Sequence, residues 1–248
     1  GNILNSVGKA CGEAGHETEC KKVSKGKTYY GKGNTNQGIL QLLAENNIPL
    51  VIRMVGAVSE SGLYKTGTWA AANAGLIDGL TDYDSNDYGG SVGDNGHMAR
   101  MKSAKDVTIE GVGTDAAMDG WGIHFMSETS TTAAGLGKNF EVRNLTFMNQ
   151  PEDAIGMEGV QEGSVITAPV ERCWIHNNEF YSPSITGPAE SDKAEDDGSC
   201  DFKRGEYLTV SYNYFEGCHK TNLVGSSDTS LQYNLTYHHN IWKGCKAR

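Results

Sequence analysis

The sequence predicts an all-β fold, a right-handed parallel β-helix (a solenoid) with a short N-terminal capping helix and long loops. Three observations carry this expectation. From Asp106 onward the chain is a series of short β-type runs separated by turns, with almost no helical stretch between them. Several runs end alike, at Asn178-Glu-Phe180, Asn213-Tyr-Phe215 and Asn240-Ile-Trp242. Their asparagines are 35 and then 27 residues apart, an irregular period with one turn-forming asparagine and one aromatic per unit. Finally, 32 glycines against only 5 prolines suggest many tight turns in an ordered chain.

Residues 1–34 are polar, rich in glycine and lysine, and read as loop. Ile39, Leu40, Leu42 and Leu43 fall at helical spacing in NQGILQLLAENN, so a short helix is expected there, with Thr35 as its N-cap and its end at Asn46-Asn47. Ile48 to Val58 is a β-branched run suited to a strand buried on both faces. Residues 60–100 read as an excursion rich in Gly, Asp and Ser. The strand runs that follow are DVTIEGVG, WGIHFM, NFEVRNLTF, VERCWIHNNEF, YLTVSYNYF and LQYNLTYHHNIW. Coils of such a solenoid stack at about 4.8 Å, so equal positions form ladders. Asparagine suits a ladder because it tolerates left-handed backbone angles and its amide can bond up and down the stack. A β-sandwich also has many short strands, but it calls for hairpin turns at regular short spacing rather than a shared Asn-aromatic ending. One domain spanning 1–248 is expected, and a β-helix stopping at Arg248 is expected to lack its C-terminal coils.

The net charge of −10, from 31 acidic and 21 basic residues, speaks against nucleic acid as a partner. No apolar run is long enough to span a bilayer, so no membrane association is expected, and the chain is expected to be a monomer. The even count of six cysteines, Cys11, Cys20, Cys173, Cys200, Cys218 and Cys245, fits an oxidised, secreted, extracellular protein with disulfides. Cys11 with Cys20 is the simplest local pairing. No CxxC spacing supports a zinc knuckle. The N-terminus has no leader-like apolar stretch, as expected of a mature exported form.

Two segments hold the chemistry. Glu195, Asp196, Asp197 and Asp201 precede a strand, with Asp197 and Asp201 four apart. Such a cluster is either a solvated acidic loop, the commoner case, or a hard-cation site, since calcium takes about six to eight oxygens. Further on, His219 and Lys220 begin a strand, and NLTYHHNIWKGCKAR closes on Arg248. His219, His238 and His239 suggest metal ligation or base catalysis. The simpler expectation is that adjacent His238 and His239 alternate faces of one strand. The sequons Asn144-Leu-Thr and Asn234-Leu-Thr sit in predicted strands and read as structural.

The stretch LTVSYNYFEGCHKTNLVGSSDTSLQYNLTYHHNIWKGCKAR resembles the heart of family 1 pectate lyases. There a V-T-V-S-Y-N strand leads to a K-x-x-L-x-G turn and then to a T-x-H-H-N strand ending in Arg-x-Pro-x-x-Arg. The resemblance reaches from Asp106 to Arg248. It implies a calcium-dependent enzyme that cleaves polygalacturonate (pectate) by β-elimination. Arg248 falls on the first arginine of that last motif, the family's base, and Lys220 on the lysine that binds a substrate carboxylate. Asp197 and Asp201 fall on the carboxylate pair that ligates calcium, and Asp153, in QPEDAIGMEG, on a ligand from an earlier coil. Lys203 matches a further cation lining the cleft, and His219 flanks the substrate-binding lysine.

Three departures from the family pattern stand out. A second upstream carboxylate position reads Ile155, which leaves Glu152 or a water to compensate. The family's W-I-D-H reads Trp174-Ile-His-Asn177. The chain also stops at Arg248, inside the arginine motif. The resemblance further implies that the acidic cleft binds a polyanion through bridging calcium, and that like charges near Arg248 favour its neutral, basic form. Pectin lyase, which works without calcium, is disfavoured by Asp153, Asp197 and Asp201. The N-T-D, D-D, G-H-G and R-I-K series of polygalacturonases is missing. A non-catalytic, polysaccharide-binding β-helix is the rival of a different class.

Overall fold

The computed structural model describes residues 22–24, 27–29, 49–59, 98–119, 122–127, 136–148, 150, 153–181, 198–218 and 220–246. The expected capping helix and its Thr35 cap lie outside these residues. The described residues contain strands and no helix.

A short antiparallel pair, β1 (Lys22–Ser24) and β2 (Lys27–Tyr29), comes first. The solenoid begins with β3 (Leu50–Ser59) and continues through β4 (Met98–Lys102) and the long β5 (Lys105–Asp119). The next rung comprises β6 (Gly122–Met126), β7 (Lys138–Arg143) and β8 (Thr146–Met148). Above it lie β9 (Ile155–Glu158), a hairpin of β10 (Val160–Glu162) with β11 (Val165–Ala168), then β12 (Val170–His176) and β13 (Glu179–Tyr181). β14 (Cys200–Lys203), β15 (Gly205–Ser211) and β16 (Tyr214–Glu216) form the following rung. The last is β17 (Gln232–His238) with β18 (Ile241–Lys243).

Three stacks of parallel strands result, as a β-helix requires. One is the four-stranded sheet β4, β6, β9, β14. The second runs β3, β5, β7, β12, β15, β17. The third carries β8, β13, β16 and β18 and is joined to the second through the long strands β3 and β5.

Strand register turns sequence alternation into columns. Val107, Phe140, Cys173, Leu208 and Leu235 form one inward column, and Ile109, Val142, Ile175, Val210 and Tyr237 the next. Phe147, Phe180 and Phe215 stack at centroid separations of 4.9 and 4.6 Å, and Trp242 continues the pile at 5.9 Å. Truncating Phe147, Phe180 or Phe215 to alanine should cost about 3–5 kcal/mol. Trp242 in the top described rung is 47% exposed, whereas Phe215 directly below is fully buried.

The asparagine column exists, with one correction. Asn178 Nδ2 donates to Asn213 Oδ1 (3.2 Å), and Asn213 Nδ2 to Asn240 Oδ1 (3.1 Å). Each amide also donates to the carbonyl of a residue in the rung below: Val142, Ile175 and Val210. The left-handed angles fall on the preceding residue instead: Asn144, Asn177, Tyr212 and His239 have φ between 53° and 57°. The turn is thus made one position early, which frees the ladder residue to aim its amide along the stack. The same device overturns the expected alternation of His238 and His239. With His239 at φ 55°, the two rings converge, Nδ1 to Nδ1, at 2.8 Å. Asn144 of the first sequon is structural, its amide donating to the Gly111 and Gly113 carbonyls.

Among the described residues Cys173, Cys200, Cys218 and Cys245 are free thiols. Cys173 and Cys200 point into the core, and Cys218 and Cys245 turn their sulfurs toward backbone carbonyls one rung below. Cys11 and Cys20 lie outside the described residues.

Candidate active site

The four-stranded sheet puts its chemistry on its outer face by simple alternation. Ile155 and Met157 of β9, and Cys200 and Phe202 of β14, point inward and are buried. The residues between them point outward, so the register pairs His124, Gly156 and Asp201 in one column and Met126, Glu158 and Lys203 in the next. Two isolated parallel bridges, Gly198 to Lys220 and Phe202 to Val224, extend this sheet by one more level.

Asp153 stands just before β9 and Asp201 within β14, 5% and 2% exposed. Gly198 brings them together. A Cβ there would lie 2.5 Å from Asp153 Oδ1 and 2.5 Å from Asp201 Oδ1, so the two oxygens are at most 5.0 Å apart. Gly156 does the same on the other side, where a Cβ would meet Asp153 Oδ2 at 3.2 Å and His124 Cδ2 at 3.0 Å. Two glycines thus leave a cradle for the Asp153 carboxylate. The backbone fixes its height, since Ala154 N donates to Gly198 O at 2.7 Å. Leu223 N donates to Asp201 Oδ1 at 3.2 Å.

Lys220 is 6% exposed and sits one level above Gly198, its carbonyl accepting from Ser199 N at 3.2 Å. Two buried carboxylates side by side repel one another and lose hydration, which costs several kcal/mol unless positive charge is supplied. Lys220, also buried, brings one positive charge to the level above Gly198. The donor set of hard, closely spaced oxygens fits a hard cation such as calcium. Among the described residues no group of three or more His, Cys, Asp or Glu converges to hold a metal. Asp197, His219 and Arg248 lie outside the described residues.

Ile155 corrects a second expectation. It is fully buried in the apolar core, so a carboxylate at this position would face the interior and not the cradle. The outer face carries instead a carboxylate that sequence reading passed over. Glu158 is 2.8 Å from the Arg204 guanidinium and 3.4 Å from His124 Nε2. Burial pushes its carboxyl up, but the His124 hydrogen bond and charge, with the charges of Lys203 and Arg204, outweigh burial and hold it at about 2. The signal was present: in IGME and CDFK every second residue is polar or glycine, which puts Glu158 level with Lys203.

Of the expected site residues, Asp153, Asp201 and Lys220 gather around Gly198, and Lys203 lies on the same face, beside Glu158.

Residues 64–248 match the family model described as pectate lyase. The chain is 31% identical over 148 residues to pectate lyase 2 of Pectobacterium carotovorum, covering 58% of this chain and 35% of that protein. It is 32% identical over 154 residues to a pectate trisaccharide-lyase of Bacillus licheniformis, covering 60% and 38%. The chain thus spans little more than a third of the length of the curated relatives it matches. Among solved structures, a pectate lyase from Bacillus sp. N165 in complex with trigalacturonate superposes with a TM-score of 0.53 at 24% identity, covering 84% of this chain and 54% of that one. A thermostable pectate lyase gives 0.51 at 19% identity, over 83% and 56%. These likenesses establish the parallel β-helix fold.

Proposed function

Because the chain belongs to the pectate lyase family, we propose that it is the core of a secreted, calcium-dependent pectate lyase that cleaves polygalacturonate by β-elimination. The observation that carries the proposal is the pair of buried carboxylates, Asp153 and Asp201, held within 5.0 Å across a residue without a side chain. Two carboxylates so placed offer closely spaced hard oxygen donors of the kind calcium takes. The relatives' names supply the substrate class, and a substrate of polymer size belongs outside the cell.

In this reading Asp153, Asp201 and Asp197 would hold calcium, which would supply Lewis-acid chemistry at a substrate carboxylate. Lys220, fixed by its backbone pairing to Gly198, binds the same sugar's carboxylate and stabilises the charge that builds as the C5 proton leaves. Lys203 and His219 line the cleft. Arg248 is the base: its neutral guanidine takes the C5 proton, the C5–H electron pair becomes the C4–C5 double bond, and the C4–O bond breaks. The leaving oxygen takes a proton from water, which gives a 4,5-unsaturated sugar and a new reducing end. Neighbouring positive charge disfavours the guanidinium, so activity should rise toward alkaline pH.

The test is incubation with polygalacturonate, with calcium and then with chelator, recording ultraviolet absorbance and reducing ends together. Both signals should rise, and only with calcium. Reducing ends without absorbance would mean hydrolysis and would overturn the assignment. Binding of the polymer without either signal would identify a non-catalytic polysaccharide-binding protein.

A further inference from the structure

A polar cavity of about 220 Å³ opens beside the outer face of the site sheet, lined by Gln161, Arg204, Ser226, Ser227 and Ser230. It spans three rungs: Gln161 comes from the β10–β11 hairpin, Arg204 from the turn after β14, and the serines from the segment before β17. Its walls are clamped. Gln161 Nε2 donates to Thr229 O at 2.7 Å, and its Oε1 accepts from Leu231 N at 2.8 Å. Arg204 is only partly used. Its Nη2 is 2.8 Å from Glu158 and 3.4 Å from Ser226 Oγ, while its buried Nε has no hydrogen-bond partner. Ser226, accepting from Arg204, keeps its own hydroxyl hydrogen to donate.

The local charge is unusual for this molecule. On a chain of net charge −10, Lys203 and Arg204 both bear on the carboxylate of Glu158, so two cations gather at this place. A guanidinium with serine hydroxyls beside it matches a carboxylate flanked by sugar hydroxyls. Arg204 is three residues beyond Asp201, about 10 Å along the strand, so a sugar held here is not the one at the carboxylate cradle.

We propose that this cavity is a remote subsite, in which Arg204 and Ser226 bind the carboxylate of a uronate unit away from the bond being broken. The inference rests on the polygalacturonate reading above. It makes Arg204 a determinant of chain-length preference, and Gln161 a positioning residue that keeps the walls together.

The experiment compares Arg204→Gln, Arg204→Lys and Ser226→Ala with the unmodified protein on oligogalacturonates from trimer to hexamer. Arg204→Gln should raise KM for the hexamer about tenfold, leave the trimer within about twofold and leave kcat unchanged. Ser226→Ala, which spares the Glu158 pair, should move the hexamer KM about threefold in the same direction, and Arg204→Lys should restore part of the loss. An equal change at every length, or none in either variant, would reduce Arg204 to a structural partner of Glu158 and end the proposal. If the unmodified protein forms no unsaturated product, the lyase reading fails on its own. Calorimetric binding of the hexamer to the same proteins then decides the subsite: weaker binding in Arg204→Gln and Ser226→Ala upholds it, equal binding overturns it.

Discussion

At the asparagine corner, Asn178, Asn213 and Asn240 hand hydrogen bonds from rung to rung. Each amide donor finds a carbonyl, and the amide oxygens of Asn213 and Asn240 each accept from the asparagine one rung below. On the site sheet, Asp153 and Asp201 are as deeply buried as those amides but bear the same charge, and they approach only because position 198 has no side chain. Both regions are stacks of equivalent positions on the same rungs. One is an uncharged ladder of amides that adds stability; the other concentrates like charge. Buried polarity in this solenoid therefore divides by charge, and clustered buried carboxylates are the pattern of a functional site.

Substitutions on either side separate the two regions. The largest effect is expected for Lys220→Ala, which should lower kcat by about a hundredfold or more, read as the rate of ultraviolet absorbance increase. The thermal midpoint should change little by comparison. Asn213→Ala should do the reverse. It removes the side-chain hydrogen bonds to Ile175 O and Asn240, leaves Asn178 N without its acceptor and leaves Asn178 Nδ2 with Val142 O alone. A loss of about 2–4 kcal/mol is expected in denaturant unfolding, with kcat per folded molecule unchanged. Gly198→Ala places a methyl group 2.5 Å from both carboxylates and should weaken calcium binding at least about tenfold, measured by titration calorimetry.

The smallest effect is expected for Glu158→Gln. Its carboxyl is held down at about 2, against an ordinary value of 4.5. The stability it contributes is present above the unfolded value and lost as pH falls through the folded one. The variant should be less stable than the original near neutrality, and the gap should close as the pH drops from about 4.5 toward about 2, followed by thermal unfolding.

How much of this was legible in the sequence differs between the same two regions. The second and third sheets were readable. Runs such as NFEVRNLTF and VERCWIHNNEF each became a strand, a turn and a strand, because β-branched and aromatic residues mark the inward columns and an asparagine marks each corner. Of the site sheet, β6 is legible as a strand, within WGIHFM, whereas β9 and β14 are not. β9 is Ile-Gly-Met-Glu and β14 is Cys-Asp-Phe-Lys, each four residues long. In both, glycine or charge takes every second place, which lowers β-propensity just where the site needs room and polarity. Against the family pattern Ile155 reads as a vacant ligand position, whereas strand alternation sends it to the core. Asp153, Asp201 and Lys220 were reached through a family resemblance; spacing alone cannot bring together residues that meet only after two turns of the solenoid. Glu158 and Arg204 needed the register between rungs.

The hairpin β10–β11 departs from the path between β9 and β12 and returns to it. Around it, Gly159 N still donates to Lys203 O and Val170 N to Arg204 O. In the rung above, Arg204 alone covers the same corner between β14 and β15. The scaffold thus accepts one residue or a whole hairpin at this point with the strands on both sides still in step. The height of the wall beside the site can be exchanged between relatives like a fitting on a rail, and what the molecule recognises can change without renegotiating what holds it together.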